Sequence, residues 1–237
     1  EWAACADLLE EYDRVTALAS PGAYDPAWIV AGAAAALLDD PALAATVRGR
    51  LRLVVVDDAH ELTAGSARLL ATIASIPSAA ALDLVLLGDP DTTVQSFRGA
   101  DPGILGGAPE AAVDWTTLSR TGVAHTVVLR TAYRPLSLIE ATGRVVNAIG
   151  AAGGTDHRAV RPAPGAGGGT VQIHLLRTPS AEAAFGASRV RDAVLHEGRR
   201  WSDIAVIVRG RRRSESIRRA LARADVPVAV DVAELPV

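Results

Sequence analysis

Methionine and lysine are absent from the 237 residues, and cysteine occurs once. A chain without methionine even at position 1 reads as an interior piece of a longer protein. All 24 basic residues are arginine, which, with the abundance of Ala, Gly and Val, points to a GC-rich genome. The lone Cys5 excludes an internal disulfide, and no His/Cys spacing around it fits a metal. No apolar stretch reaches the roughly 18 to 20 residues that a membrane span needs. The first residues, Glu1-Trp-Ala-Ala-Cys-Ala-Asp, lack the basic start of a signal peptide. The expectation is a soluble, cytoplasmic protein with no membrane partner. A net charge of −3 and a pI near 6.0 exclude surface-wide attraction to nucleic acid, so any DNA contact must be local.

What is present is ordinary globular composition, 49% hydrophobic and 22% charged, in a chain long enough for one large or two modest domains. The most informative stretch is Leu53-Val-Val-Val-Asp57-Asp58-Ala-His60-Glu61. Four apolar residues ending in paired carboxylates fit a buried parallel strand that delivers acids to the carboxyl edge of a sheet, where open α/β folds bind ligands. Leu84-Val-Leu-Leu87 followed by Gly88-Asp89 repeats the design. Between them, Leu62 to Ile76 carries Leu62, Leu69, Leu70, Ile73 and Ile76 on one face and stops at Pro77, a helix by period. Strand, helix, strand implies a parallel sheet with a right-handed crossover.

Upstream, residues 1 to 20 and 27 to 48 have helical spacing, divided by Ser20-Pro21-Gly22 and broken again at Asp40-Pro41. Residues 101 to 125 are Gly/Pro-punctuated and poorly periodic, the expected passage between two lobes. A short strand at Thr126 to Leu129 and a helix from Pro135 to Ile149 follow. Gly150 to Gly169 reads as a linker; it is no phosphate loop, since no Lys-Ser/Thr follows and a strand comes next. From Thr170 the pattern is strand (171 to 176), helix (181 to 196), strand (204 to 208), helix (214 to 224), strand (226 to 230), a second parallel α/β unit.

Four segments resemble one family, the UvrD/Rep-like superfamily 1 DNA helicases. Asp57-Asp58-Ala-His60-Glu61 resembles motif II, Val-Asp-Glu-x-Gln-Asp. Gly88-Asp89 through Phe97-Arg98-Gly99-Ala100 resembles motif III, Gly-Asp-x-x-Gln-Ser-Ile-Tyr-x-Phe-Arg-Gly-Ala. Leu129-Arg-Thr-Ala-Tyr133-Arg134 resembles motif IV, Leu-x-x-Asn-Tyr-Arg. Asp203-Ile-Ala-Val-Ile-Val-Arg209 resembles the later Asp-Ile-Ala-Val-Leu-x-Arg. The resemblance spans about residues 25 to 237 and implies an α/β fold of two RecA-like parallel-sheet lobes, both partial. Residues 1–110 would belong to the first lobe, 111–125 to the passage, and 126–237 to the second lobe.

By that resemblance the cofactor is Mg²⁺ with ATP. Asp57 would be the metal ligand and Asp58 the water-activating base, one methylene shorter than the family's glutamate; misplacement by about 1 Å can cost on the order of a hundredfold in rate. Arg134 would be the third catalytic residue, reaching the γ-phosphate with fixed planar donors. Asp89, Thr92 and Tyr133 would bind nucleotide, Thr92 standing where the family has a γ-phosphate-sensing glutamine. Gln95, Phe97 and Arg98 would face DNA, Gln95 replacing a base-stacking aromatic worth about 1 to 3 kcal/mol per base. His60 reads as a polar linker between lobes. The arginines at 209, 211, 212, 213, 218, 219 and 223 fit phosphate tracking and a solvated helix face equally well.

No Gly-x-x-x-x-Gly-Lys-Ser/Thr occurs, so the phosphate cradle is expected upstream and the fragment alone should be inactive. The expected function is part of an ATP-dependent helicase or translocase on single-stranded DNA in repair or recombination. The departures at Asp58, Thr92 and Gln95 favour a weak motor paired with a second subunit, as in actinobacterial helicase-nucleases of the AdnA/AdnB type. The alternative is a degenerate pseudo-helicase that binds DNA or a partner motor without hydrolysing ATP.

Overall fold

The computed structural model describes residues 2–19, 26–106, 112–118 and 124–229. They form two compact units, Glu1–Val171 and Gln172–Val237. In the first, α1 (Trp2–Ala19), α2 (Pro26–Asp39) and α3 (Pro41–Arg50) precede β1 (Leu53–Val56). The expected break at Asp40-Pro41 is a cap: Asp40 Oδ1 accepts from the N–H groups of Ala42 and Leu43, and Pro41 takes the first helical position, where its missing donor costs nothing. Arg48 on α3 is buried and donates to the carbonyls of Leu51 and Ala80, at 3.1 and 2.7 Å, fastening the helix to the approaches of both strands.

The helix α4 (Ala64–Ser75) leads from β1 to β2 (Asp83–Leu86). Thr63 caps it, its hydroxyl accepting from Ser66 N–H. The two strands pair in parallel, Leu53 opposite Asp83 through Val56 opposite Leu86, as the strand-helix-strand pattern requires. The ladder continues past the carboxyl ends of the two strands, since Leu87 N–H donates to the Val56 carbonyl and Ala59 N–H to the Leu87 carbonyl. The two exits therefore leave on the same edge. Burial alternates along each strand: Val54, Val56, Leu84 and Leu86 are half-buried, whereas Leu53 and Val55 are exposed. Strands buried on both faces were expected, but no described element covers the second face.

After β2 come α5 (Gly103–Gly106), whose Ile104 is fully buried, and the turn at Trp115–Leu118. Trp115 Nε1 donates to the Ile104 carbonyl at 2.7 Å, satisfying an indole that would otherwise lose its water partner. The strand expected at 126 to 129 does not form. Pairing occurs instead at β3 (Thr131–Ala132), parallel to β4 (Arg161–Pro162), with α6 (Leu136–Val146) between them.

The second unit contains α7 (Pro179–Leu195) and α8 (Arg211–Arg223), with Ala187, Leu221 and Val226 buried and Val190 and Ile217 packed against them. Thr178 caps α7 by accepting from Ala181 N–H. The strands expected at 171 to 176, 204 to 208 and 226 to 230 are not strands among the described residues, and Val230 lies outside them. Leu175 is 95% and Ile207 93% exposed. A strand exists only where a neighbour takes up its N–H and C=O groups, and no described segment is paired with these. The mixture of helices and small parallel sheets is compatible with an α/β fold.

Candidate nucleotide edge and nucleic-acid platform

The common edge of β1 and β2 gathers four of the expected site residues. Asp57 and Asp58 follow β1; Asp89 and Thr92 follow β2. Asp57 is exposed and its Oδ1 accepts from Asp58 N–H at 3.0 Å. That arrangement fits Mg²⁺, which keeps several waters and takes one or two carboxylates. Asp58 has φ 51° and ψ 39°, the left-handed region, which aspartate enters more readily than most side chains. The sharp turn this conformation makes starts the short helix Ala59–Glu61 and sends His60 inward.

His60 is 6% exposed and bridges the two exits. Its Nδ1 accepts from Asp89 N–H at 3.2 Å and its Nε2 lies 3.2 Å from the Thr92 hydroxyl, while its carbonyl accepts from the Thr93 hydroxyl. The residue expected to link lobes thus ties motif II to motif III within one edge. Gly88 makes this approach possible: a Cβ there would stand 2.7 Å from His60 Nδ1 and 2.9 Å from Leu105 Cδ2. Thr92 also donates to the Asp89 carbonyl at 2.8 Å, so its short side chain is occupied locally.

Glu61 was given no role by sequence, yet it holds the rest of motif III. Its two carboxylate oxygens accept from Val94 N–H at 2.7 Å and Gln95 N–H at 3.0 Å. Gln95 turns its own Oε1 inward, buried without a partner, rather than presenting it on the surface. Beyond it, Ser96–Arg98 is one short turn, and Gly99, at φ 88°, reverses the chain so that Ala100 is buried and bridges Thr63. Phe97 projects from the turn, 79% exposed, with the Arg98 guanidinium 5.4 Å from its ring centroid. An exposed aromatic face beside a cation is what base stacking and phosphate attraction require.

Asp91, between Asp89 and Thr92, is held by residues far along the chain. Arg158 donates from Nε to Oδ2 at 2.8 Å and from Nη2 to Oδ1 at 2.6 Å, and His157 Nε2 lies 2.8 Å from Oδ2. The Arg158 hydrogen bonds outweigh burial and keep the Asp91 carboxyl below its ordinary range, with His157 adding to the effect. Ligand atoms of Asp89, Asp91 and His157 lie within 4.8 Å of one another, the right spacing for a cation. Arg158 already occupies both oxygens of Asp91, however, so the charge a metal would need is spoken for.

Tyr133 and Arg134 are exposed, Tyr133 at 84%, and neither makes a side-chain hydrogen bond or ion pair among the described residues. Among the described residues no hydrogen bond or ion pair of their side chains reaches the carboxylate edge. On α8, Arg213 pairs with Glu182, and Arg218 and Arg219 with Glu215, whereas Arg212 and Arg223 have no ion pair among the described residues. No single described helix is long and apolar enough to cross a membrane.

Residues 1–111 match the UvrD/REP helicase N-terminal domain. Over that stretch the chain is similar to UvrD-like superfamily 1 helicases. The match contains the whole edge from Asp57 to Arg98 and reaches further toward the N-terminus than the motif resemblance does. It ends before Tyr133 and Arg134, whose assignment rests on the motif IV resemblance. No curated protein matches the chain.

Proposed function

We propose that the chain is part of an ATP-dependent helicase or translocase that moves on single-stranded DNA in repair or recombination, with two partial RecA-like lobes, 1–110 and 126–237, joined by 111–125. The observation that carries this reading is the shared edge: two parallel strand exits place Asp57, Asp58, Asp89 and Thr92 together, and the second exit runs on into the exposed Phe97-Arg98 turn. Nucleotide chemistry and a base-stacking platform then sit on one continuous segment. Asp57 would hold Mg²⁺, whose role is to neutralise charge on the phosphates. Asp58 would orient the attacking water. Arg134, exposed and unpaired among the described residues, is free to meet the γ-phosphate.

The pseudo-helicase alternative has its own observation. Thr92 is engaged by His60 and the Asp89 carbonyl, so the position of the γ-phosphate sensor is turned to holding its own loop. The two readings separate by DNA-stimulated ATP hydrolysis in the protein that carries this chain together with a phosphate-binding loop. Under the helicase reading Arg134→Ala removes most turnover, since arginine fingers contribute about 10³ to 10⁵ in rate where they operate fully, and Asp58→Glu with Thr92→Gln raises it. Turnover unmoved by all three substitutions, with any partner motor silenced, favours the pseudo-helicase. A second helicase-nuclease subunit of the AdnA/AdnB type is the partner this reading expects.

A further inference from the structure

We propose that Arg158 and His157 form a clamp on Asp91 that positions the Pro90–Thr92 turn of motif III, making them positioning residues for ATP hydrolysis; this rests on the helicase reading above. The geometry is that of a built latch rather than a chance surface pair. The side chains of Arg158 and Asp91 are 8% and 9% exposed, and the fork of the guanidinium meets both carboxylate oxygens, the arrangement that adds geometric specificity to charge. Arg158 is itself held from behind, donating to the carbonyls of Ile149 and Gly150 at the end of the α6 segment. Arg130 donates to the Asp156 carbonyl, and β4 pairs with β3 just after the clamp. The segment from 130 to 162, which carries Tyr133 and Arg134 at its start, is therefore fastened to the turn that carries Asp89 and Thr92.

Two independent supports meet in that turn. His60 holds it from the motif II side through Asp89 N–H and the Thr92 hydroxyl, and the clamp holds it from the motif IV side through Asp91. Neither Arg158 nor His157 belongs to a motif read from the sequence. Their effect on chemistry is indirect: with the clamp released, the turn keeps its fold through His60 but loses its fixed relation to the Arg134-bearing segment.

The test compares wild type, Arg158→Ala, Arg158→Lys and Asp91→Asn in the protein that carries this chain with a phosphate-binding loop. It reads kcat and KM for ATP at saturating single-stranded DNA, together with hydrogen exchange at Asp91, Thr92 and Gln95. The expected result is a kcat lower by about tenfold to a hundredfold in Arg158→Ala, the scale on which a misplaced group costs rate, with KM for ATP little changed. Exchange at Asp91 and Thr92 should rise by about tenfold while α4 keeps its protection. Arg158→Lys, which keeps the charge and loses the fork, should recover part of both and guards against a variant that merely fails to fold. Wild-type kcat and wild-type exchange in folded Arg158→Ala overturn the clamp and leave the helicase reading intact. Faster exchange with unchanged kcat also overturns the proposal, reducing the pair to a structural one. A wild-type protein that hydrolyses no ATP overturns the helicase reading, and the positioning role of the clamp with it.

Discussion

Removing the Glu61 carboxylate should release the second half of motif III without disturbing the sheet beneath it. Its two oxygens accept from consecutive backbone donors, Val94 N–H and Gln95 N–H, at 2.7 and 3.0 Å, and the side chain is 21% exposed. Hydrogen bonds to a charged acceptor contribute about 1.5 to 3 kcal/mol each. Val94 is exposed, so water replaces part of what its N–H loses, whereas Gln95 N–H is partly buried. Discounting the first bond for solvent, Glu61→Ala should cost about 2 to 4 kcal/mol. Glu61→Gln keeps one accepting oxygen and turns an NH₂ toward the second donor, for a cost of about 1 to 2 kcal/mol. Urea unfolding at neutral pH measures both, and limited proteolysis at residues 93 to 98 shows whether the loss is local. Affinity for a short single strand should fall in the same order, because the released loop carries Phe97 and Arg98. Glu61→Ala within about 0.5 kcal/mol of wild type, the range of an ordinary surface substitution, would refute the cradle.

Gly88→Ala places a methyl 2.7 Å from His60 Nδ1 and 2.9 Å from Leu105 Cδ2, and overpacking of this kind costs about 1 to 3 kcal/mol; an unchanged melting temperature would show that the His60 bridge has slack. Because Arg158 and His157 hold the Asp91 carboxyl below its ordinary value, its stabilising contribution should be complete above about pH 4 and vanish as pH falls through the lowered folded value. The stability gap between wild type and Asp91→Asn, followed by urea unfolding from pH 7 downward, should therefore close in acid; a gap independent of pH would deny the ion pair.

How much of this was legible in the sequence follows from the range of each interaction. Periodicity and punctuation are local, so α1 to α4, α6, α7 and α8 fall within about three residues of where spacing, Asp40-Pro41, Pro77 and Pro135 put them, and the β1-α4-β2 unit follows from the same cues. Thr63 moves the start of α4 by two residues because a capping hydroxyl, not the first leucine of the stripe, sets the boundary. Strands are relational. Val127, Leu129, Ile173, Leu175 and Ile207 have strand composition, but composition names no partner, and none of them is paired here. In the site, Gly88, Asp57 and Asp89 were marked by motif position. Glu61 was overlooked because its partners are backbone N–H groups, which leave no mark in side-chain spelling. Arg158 and Asp91 are separated by 67 positions, and nothing in either neighbourhood signals the other.

If the exit of β1 holds the metal of a working nucleotide site, Asp57 is its ligand. The direct measurement is DNA-stimulated ATP hydrolysis by Asp57→Asn in the protein that carries this chain with a phosphate-binding loop, any partner motor being silenced. The substitution keeps the size of the side chain and one oxygen, so the fold at the exit should survive. Loss of a metal ligand should lower kcat by about a hundredfold or more, since metal neutralisation of phosphate charge contributes several kcal/mol. A folded Asp57→Asn protein that hydrolyses ATP at the wild-type rate would contradict the assignment of this edge.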